Sequence, residues 1–364
     1  MENACELISS ILKTQYDLGD VIKVEAIKEG DTNNSFFAYA TQNGSEHKWY
    51  VRQYNTGESE PELIYEHAFD KFFAERHGDV IDSPVPISNK TGSTWVRAEL
   101  NGVFNYYAVF NVIKGREPYS WEFNDLTPAA FDGCATATAQ FQAWAYGFKG
   151  PEGSGCQQEP LMELYKNWRE DLKHCFDQKT DPMFRRFNEY FAKEMPFFLK
   201  TIDFLEAETA KYESKVPMCV NHGDMNPGNV MFDDSDRVCC IFDLDWVADN
   251  MRLYDVCWMG YQLMASWDVH AWGDVPLDNI KRFINVYNKT MIDMKCPMGP
   301  LTEDEIKFLP TMMMIGIAKV IMDFSCYEDH RGDEYRVFVN TWRFMESLHY
   351  IQDHYDEVLE AAKE

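Results

Sequence analysis

Basic residues are scarce in this sequence relative to acidic ones. Of its 364 residues, 34 are Lys or Arg and 60 are Asp or Glu, so the formal net charge is −26. A protein with this excess of negative charge repels nucleic acid and anionic membranes. We therefore expect neither as a partner, whereas a cationic small molecule remains compatible with the composition.

Long apolar segments and paired cysteines are also missing. The most apolar run, residues 312–322, is interrupted by Lys319 and is shorter than the roughly 20 residues needed to span a bilayer. The N-terminal residues include no basic region typical of a signal peptide. The ten cysteines show no C-x-x-C spacing, which favours reduced thiols in the cytoplasm over a zinc site or disulfides.

One polar segment stands out between short apolar runs. Residues 221–229 read N-H-G-D-M-N-P-G-N, and a turn and a further apolar run separate them from D-L-D at 243–245. The apolar runs predict short strands, and the residues around Asp224 predict a loop. Because the second and third strands form a hairpin, Asn229 at its start is expected close to Asp243 at its end.

The order Asp, Asn, Asp matches the requirements of phosphoryl transfer from Mg-ATP. One carboxylate, Asp224, accepts the proton of the attacking hydroxyl, while the oxygens of Asn229 and Asp243 bind magnesium. Taken singly, Asp224 is as typical of a turn cap as of a catalytic base. Asn229 alone is more typical of a loop than of a metal ligand, and Asp243 is common at the end of a strand. Their combination at this spacing is much rarer and indicates a kinase.

The motif H-G-D-x-x-x-x-N, followed by a strand ending in D-x-D and then by L-Y-D-V, resembles the aminoglycoside phosphotransferase and choline kinase family. That family includes type II homoserine kinases and hexosamine kinases. The resemblance implies an α+β, protein-kinase-like, two-lobed fold. Residues 1–112 would form an ATP-binding lobe, an antiparallel sheet with one helix. Residues 113–364 would form a mainly helical, catalytic and substrate-binding lobe with catalytic β-hairpins.

The same resemblance assigns roles to single residues. It makes Asp224 the catalytic base, Asn229 and Asp243 the magnesium ligands, and Asp255 a structural residue of the next helix. An ordinary protein kinase fits less well, because Gly223 stands where those enzymes carry Arg and no A-P-E sequence follows.

Upstream residues supply candidates for ATP binding. The loop at residues 29–35 resembles the family's phosphate-covering loop, although a plain hairpin turn fits equally well. Its candidate residues are Asn33, Asn34 and Ser35. The next strand places Arg52 where kinases carry a basic residue for the phosphates, usually Lys. An exposed Arg on an edge strand is the alternative, and Lys48 is the second candidate for the phosphate contact.

A helix is predicted to follow this strand. Ser59 and Glu62 fit a capping box at its start, and Gly78 is expected to end it. By resemblance, Glu66 in the middle of the helix holds Arg52. A solvated helical Glu is an equally good interpretation. A second capping box is predicted downstream, with Thr302 and Glu305.

The remaining candidates concern adenine and the acceptor. Phe110 and Val112 lie in the expected hinge between lobes, where backbone groups would read adenine. Acceptor candidates are Asp245, Trp246 and Lys319, with Trp258, Trp267 and Trp272 nearby in sequence. Aromatic residues in such a region are more often core than ligand contacts, and a lysine in an apolar helix must find a partner or reach solvent.

We therefore predict an ATP- and magnesium-dependent kinase that phosphorylates a hydroxyl of a small metabolite. Homoserine, a sugar or amino sugar, and an amino alcohol are the acceptor classes left open. A non-catalytic nucleotide-binding protein of the same fold is the alternative. An aminoglycoside-resistance phosphotransferase and a protein kinase are less favoured, and a homodimer is left open.

Overall fold

The computed structural model describes residues 2–27, 33–54, 57, 59–122, 125–156, 160–177, 179–327 and 334–363. It divides the chain into two compact units, each assembled from separate stretches of sequence. Unit 1 consists of Met1–Arg116, Gly147–Gln157 and Cys239–Val247. Unit 2 consists of Glu117–Tyr146, Gln158–Val238 and Ala248–Glu364.

Unit 1 is built on a five-stranded antiparallel sheet. Its elements in chain order are α1 (Glu2–Gln15), β1 (Asp20–Ala26), β2 (Asn34–Gln42), β3 (Ser45–Gln53), α2 (Glu60–His77), β4 (Trp95–Leu100) and β5 (Val103–Asn111). The strand order is β1-β2-β3-β5-β4. Since β3 lies between β2 and β5, it is an internal strand, and this excludes the interpretation of Arg52 as an edge-strand residue.

A hydrophobic core lies between the sheet and α1. Ile8 and Leu12 of α1 are almost fully buried with Phe36, Val51 and Val109 of the sheet. The sequence analysis did not predict α1, so unit 1 contains one helix more than expected. Alternating apolar residues on the strands supply the other side of this core.

Helix α2 begins and ends where its sequence predicts. The Glu62 side chain accepts the backbone N–H of Ser59 at 2.7 Å, and Gly78, with φ of 55°, follows the last helical residue. Its buried residues include Phe69 but also the carboxyl-bearing Glu66. The interpretation of Glu66 as a solvated residue is therefore wrong.

Unit 2 is mainly helical. Its elements are α3 (Pro128–Ala145), α4 (Leu161–Asp171), α5 (Arg185–Tyr212), β6 (Met218–Asn221), β7 (Val230–Phe232), the first residue of β8 (Val238–Ile241), β9 (Ala248–Met251), α6 (Leu253–Met264), α7 (Leu277–Asp293), α8 (Glu303–Met322), α9 (Glu334–Asp353) and α10 (Tyr355–Lys363). Strands β6 and β9 pair antiparallel.

Helix α8 is the central helix of unit 2 and packs against α5, α6, α9 and α10. The stretch Glu303–Cys326 is long and apolar enough to cross a membrane, but 83% of its apolar window is buried inside the protein. The predicted capping box is confirmed, since Thr302 Oγ1 accepts the Glu305 N–H at 3.3 Å and Glu305 accepts the Thr302 N–H at 2.8 Å.

Candidate active site

The loop that carries Asp224 connects β6 to a short 3₁₀ helix (Pro227–Asn229) and to β7. The carboxylate of Asp255, fully buried on α6, accepts the backbone N–H of His222 at 2.5 Å and that of Gly223 at 3.1 Å. Burial raises the pKa of the Asp255 carboxyl to about 6, although both N–H donors favour its ionised form. Helix α6 thus fixes the backbone immediately before Asp224.

Asn221, at the end of β6, is a second fixed point of this loop. It is fully buried, and its Nδ2 donates to the carbonyl oxygens of Cys219, Asn250 and Met251. Its Oδ1 accepts from Gln142 Nε2 of α3 at 3.0 Å. The start of the loop is therefore held by strand, helix and side-chain contacts together.

Two donors from different elements hold the Asp224 carboxylate. Asn229 Nδ2 donates to Asp224 Oδ2 at 2.9 Å and to the Asp224 carbonyl at 2.8 Å. Trp258 Nε1, on α6, donates to Asp224 Oδ1 at 3.2 Å. The carboxylate is only half-buried, so it is oriented on both oxygens and still accessible.

Asn229 also has the chemistry of a magnesium ligand. Because its Nδ2 is used by Asp224, its carboxamide oxygen is the atom that remains to bind a hard cation, which prefers oxygen ligands. The amide oxygen of Asn229 is therefore of the chemical type that fits magnesium.

Lys319 lies near the same carboxylate, on α8. Its Nζ donates to the Tyr254 hydroxyl at 3.1 Å. Burial opposes the charge of Lys319, but the Tyr254 hydroxyl and the carboxylates of Asp323 and Asp224 raise its pKa above the ordinary value. Lys319 therefore remains an ammonium ion close to Asp224 within unit 2.

In unit 1, Arg52 joins residues that are far apart in sequence. Its Nη1 donates to Glu66 Oε1 at 3.2 Å, and its Nη2 donates to Asp243 Oδ1 at 2.8 Å. Asp245 Oδ2 is 3.8 Å from Nη1. The guanidinium, with 8% of its side chain exposed, is a buried cation among three carboxylates.

Asp243 has an unusual backbone conformation. It follows β8, which is tied to unit 1 because the Asp82 N–H donates to the Cys239 carbonyl at 2.7 Å and the Asp82 carbonyl accepts from the Ile241 N–H at 3.2 Å. Asp243 has φ of 65° and ψ of 59°, the left-handed region that non-glycine residues rarely adopt. Such strain clusters at functional sites, and 41% of the Asp243 side chain is exposed.

A chain of hydrogen bonds supports Glu66 from behind. The Tyr54 hydroxyl donates to Glu66 Oε1 at 3.1 Å and lies 2.9 Å from His67 Nε2, while His67 Nδ1 lies 2.7 Å from Thr94 Oγ1. Burial, with the charge of Arg52, lowers the pKa of His67 to about 3. A neutral His67 with its proton on Nε2 donates to the Tyr54 hydroxyl and accepts from the Thr94 hydroxyl. Each hydrogen bond in this series is then donated in the direction of Glu66.

Asp70 lies one helical turn after Glu66 on α2 and is 1% exposed. Neither of its carboxyl oxygens has a hydrogen-bond partner among the residues that the structure describes. Burial raises the pKa of Asp70 well above its ordinary value, and the charge of Glu66 raises it further. Both effects favour the protonated form of this carboxyl group.

The predicted nucleotide-contacting residues take different positions in unit 1. Asn33 Nδ2 donates to Asp245 Oδ2 at 3.0 Å, Ser35 Oγ is 2.6 Å from the Tyr50 hydroxyl, and Asn34 is exposed at the start of β2. The adjoining loop residues 28–32 lie outside the described part of the chain.

The second basic candidate and the hinge residues are also placed. Lys48 is exposed, with Nζ 3.3 Å from the ring centroid of Phe37, so Arg52 and not Lys48 faces Glu66. Phe110 is a core residue of β5, and Val112 is half-buried just beyond this strand.

The tryptophans near the acceptor candidates have different surroundings. Trp246, in unit 1, is 37% exposed. In unit 2, Trp267 and Trp272 pack edge to face at 5.7 Å, and the Arg343 guanidinium lies 3.7 Å from the Trp267 ring centroid. Trp267 and Trp272 are thus packing residues, whereas Trp258 contacts Asp224.

Comparison with known proteins shows the family of this chain. The family model described as "Phosphotransferase enzyme family", APH, matches residues 23–283. The chain belongs to the APH phosphotransferase family. A search of curated proteins found no significant match.

Several solved structures share the fold of this APH family member over its whole length. A microcompartment-associated aminopropanol kinase aligns with a TM-score of 0.68 at 13% identity, covering 98% of this chain and 99% of the other. The choline kinase of Cryptosporidium parvum Iowa II gives 0.62 at 14%, covering 98% of each chain. A spectinomycin phosphotransferase solved with ADP and spectinomycin gives 0.58 at 13%, covering 99% and 97%. The α+β, protein-kinase-like fold is therefore confirmed.

Three features of these sites were not predicted from the sequence. Trp258 was named only as a neighbour in sequence, and no role was predicted for Asp70 or for the Tyr54–His67 pair. A usable signal was present for Asp70, because α2 carries carboxyl groups at positions 66 and 70, four residues apart on one face. No comparable signal marks Trp258, whose contact depends on the packing of α6.

Proposed function

We propose that this APH family member is an ATP- and magnesium-dependent kinase that transfers the γ-phosphate to a hydroxyl group of a small metabolite. Within it, residues 1–112 would bind ATP, and residues 113–364 would carry the catalytic base and bind the acceptor. We also propose a cytoplasmic location, because the ten cysteines show no C-x-x-C spacing, which favours reduced thiols.

Each residue has a defined task in this proposal. Asp224 orients the acceptor hydroxyl and accepts its proton as the phosphoryl group is transferred. Arg52, oriented by Glu66, binds phosphate oxygens with a guanidinium that is always charged. Asn229 and Asp243 would hold magnesium, which supplies charge neutralisation at the β- and γ-phosphates when bound.

The adenine and phosphate contacts complete the nucleotide site of the proposal. Backbone groups around Phe110 and Val112 would contact adenine, and the segment that contains Asn33, Asn34 and Ser35 would cover the phosphates. Asn33 already donates to Asp245, so this segment is linked to the residue that lies 3.8 Å from Arg52.

One observation carries the proposal: the two side-chain contacts between Asn229 and Asp224. The Asn229 amide N–H group binds both the carboxylate and the carbonyl of Asp224, at 2.9 and 2.8 Å. These contacts support the proposal because they would couple the proposed base to the proposed metal ligand, and such coupling would align an acceptor hydroxyl with the transferred phosphate.

For the acceptor we propose a small hydroxyl compound, and different observations favour different classes of it. The kinases with similar folds are named for aminopropanol and choline, both amino alcohols, and for spectinomycin. The net charge of −26 is compatible with a cationic acceptor. Lys319, whose charge interacts with that of Asp224, favours instead an acceptor with an anionic or neutral group, such as homoserine or a sugar. Asp245 and Trp246 remain further candidates for acceptor contacts.

The test is magnesium-dependent ADP release with a panel of acceptors. The panel contains homoserine, aminopropanol, choline, ethanolamine, hexoses, N-acetylhexosamines, methylthioribose and spectinomycin, and the Asp224→Ala variant is measured in parallel. We expect one acceptor class to raise ADP release by the wild type only. Equal release by the wild type and Asp224→Ala would overturn the role of Asp224.

A non-catalytic nucleotide-binding protein is the second candidate, and one observation favours it. Arg52 stands where most kinases carry Lys and is engaged by Asp243 at 2.8 Å. If this ion pair persists with nucleotide, ATP binding without turnover would result. This alternative would be supported if calorimetry showed ATP binding and no acceptor of the panel raised ADP release.

A further inference from the structure

Trp258 holds one oxygen of the carboxylate that we propose as the base. Its Nε1 lies 3.2 Å from Asp224 Oδ1, and Asn229 Nδ2 lies 2.9 Å from Asp224 Oδ2. A carboxylate rotates easily about its Cβ–Cγ bond, since this terminal torsion is broad. Donors on opposite oxygens restrict that rotation, so the two contacts together define the plane of the carboxylate.

The indole is itself held firmly. Trp258 is 8% exposed, and its ring stacks with Tyr261 at 6.1 Å and with Phe344 at 6.5 Å between centroids, with interplanar angles of 24° and 17°. Gly316 of α8 makes room for it, because a Cβ at this position would lie 3.3 Å from Trp258 Cε3. The packing of α6, α8 and α9 thus sets the position of the donor.

We propose that Trp258 is a positioning residue for the catalytic base: its N–H group orients the Asp224 carboxylate toward the acceptor hydroxyl. This inference rests on the proposed kinase function. Asp224, and not Trp258, exchanges the proton with the acceptor.

The chemistry of indole suits this task. Its N–H only donates, so it binds an ionised carboxylate oxygen and cannot take up the proton that Asp224 must accept. It also adds no charge to the site. A serine or tyrosine hydroxyl at the same place would offer a second nucleophilic oxygen beside the phosphoryl group, whereas the indole nitrogen offers none.

The primary test is Trp258→Phe, which keeps an aromatic ring between Tyr261 and Phe344 and removes the N–H. Trp342→Phe is the matched control, because Trp342 Nε1 also donates to a carboxylate, Glu346 Oε1, at 3.0 Å. We expect Trp258→Phe to lower kcat about 10-fold, with unchanged KM for ATP and acceptor. Trp342→Phe should leave kcat unchanged.

A second variant separates positioning from stability. Gly316→Ala improves helix propensity in α8 but places a methyl group against the indole, which must move by a few tenths of an ångström. We expect lower kcat without a lower melting temperature. A purely structural role for Trp258 predicts instead that activity and melting temperature change together in both variants.

The hydrogen bond can also be observed without turnover. In protein carrying ¹⁵N-labelled tryptophan, the indole N–H signal that is missing in Trp258→Phe should shift in Asp224→Ala, while the Trp342 signal stays in place.

The outcomes are distinguishable. Acceptor-dependent turnover by the wild type with an unchanged kcat in Trp258→Phe would overturn the role of Trp258 alone. An unshifted indole signal in Asp224→Ala would do the same. Absence of any acceptor-dependent turnover by the wild type would overturn the proposed function, and the positioning role with it.

Discussion

Replacing Arg52 by methionine tests the phosphate site that we propose in unit 1. Methionine has similar length but no charge, so Glu66 and Asp243 lose a donor each, and Asp245 loses the cation 3.8 Å away. The side chains of Glu66 and Asp245 are only 5% and 9% exposed. The substitution therefore leaves two buried carboxylates without their cation.

The expected size of the effect follows from this burial. Breaking a buried ion pair from one side costs about 3–5 kcal/mol of folding free energy, which for a chain of 364 residues corresponds to a melting temperature lower by roughly 4–7 °C. Loss of a charge-assisted hydrogen bond to phosphate costs about 1.5–3 kcal/mol. That cost corresponds to a fall in kcat/KM for ATP of about 10- to 150-fold.

The assays are thermal unfolding and steady-state kinetics with varied ATP. Lys48→Met is the matched control, because Lys48 lies on the same face of β3, four residues earlier, and is exposed. Combining Arg52→Met with Glu66→Gln removes one uncompensated charge, so stability should partly recover while the ATP defect remains. An Arg52→Met variant with unchanged kcat/KM for ATP, or full recovery of activity in the double variant, would refute the reasoning.

Three further substitutions test other parts of the structure. Arg252→Met leaves the fully buried Glu305 without its cation. Chemical denaturation should show an unfolding free energy lower by about 3–5 kcal/mol. A decrease below about 1 kcal/mol would contradict this expectation. Asp255→Asn places an amide donor against one of the two backbone N–H groups that Asp255 accepts. Stability should fall by about 1–3 kcal/mol, and kcat should fall as well. If stability and kcat were both retained, the loop would not depend on Asp255. Because burial raises the pKa of Asp70 well above its ordinary 3.8, the wild type should lose stability across the pH range above 3.8, where this carboxyl ionises in the unfolded chain but keeps its proton in the folded protein. The advantage of Asp70→Asn in unfolding free energy should therefore grow over this range, and a difference independent of pH would contradict the burial argument.

Local sequence was sufficient for several of these features. Ser59 and Glu62 define the start of α2 through short-range bonds, and the spacing from Asp224 to Asn229 places two polar side chains in one loop. Both features depend on residues fewer than six positions apart. The geometry of such short patterns is set by local backbone constraints, so it can be predicted from the sequence without knowledge of the fold.

The remaining features depend on long-range packing. Trp258 reaches Asp224 only because α6 packs beneath the loop, and Gly316 makes room for its ring although it is 58 positions downstream. The burial of Glu66 depends on how α2 packs on the sheet, as does that of Asp70. Periodicity indicates which residues share a helix face, but it does not indicate which neighbour covers that face.

Isotope tracing can detect directly the phosphoryl transfer to a small alcohol that we propose for this protein. The protein is incubated with magnesium, a polar metabolite extract and ATP carrying ¹⁸O in its γ-phosphate, and products are separated by mass spectrometry. We predict an ¹⁸O-labelled phosphomonoester of a small hydroxyl compound with the wild type and none with Asp224→Ala. Bound ATP with no labelled metabolite, or label found only on protein, would contradict the account.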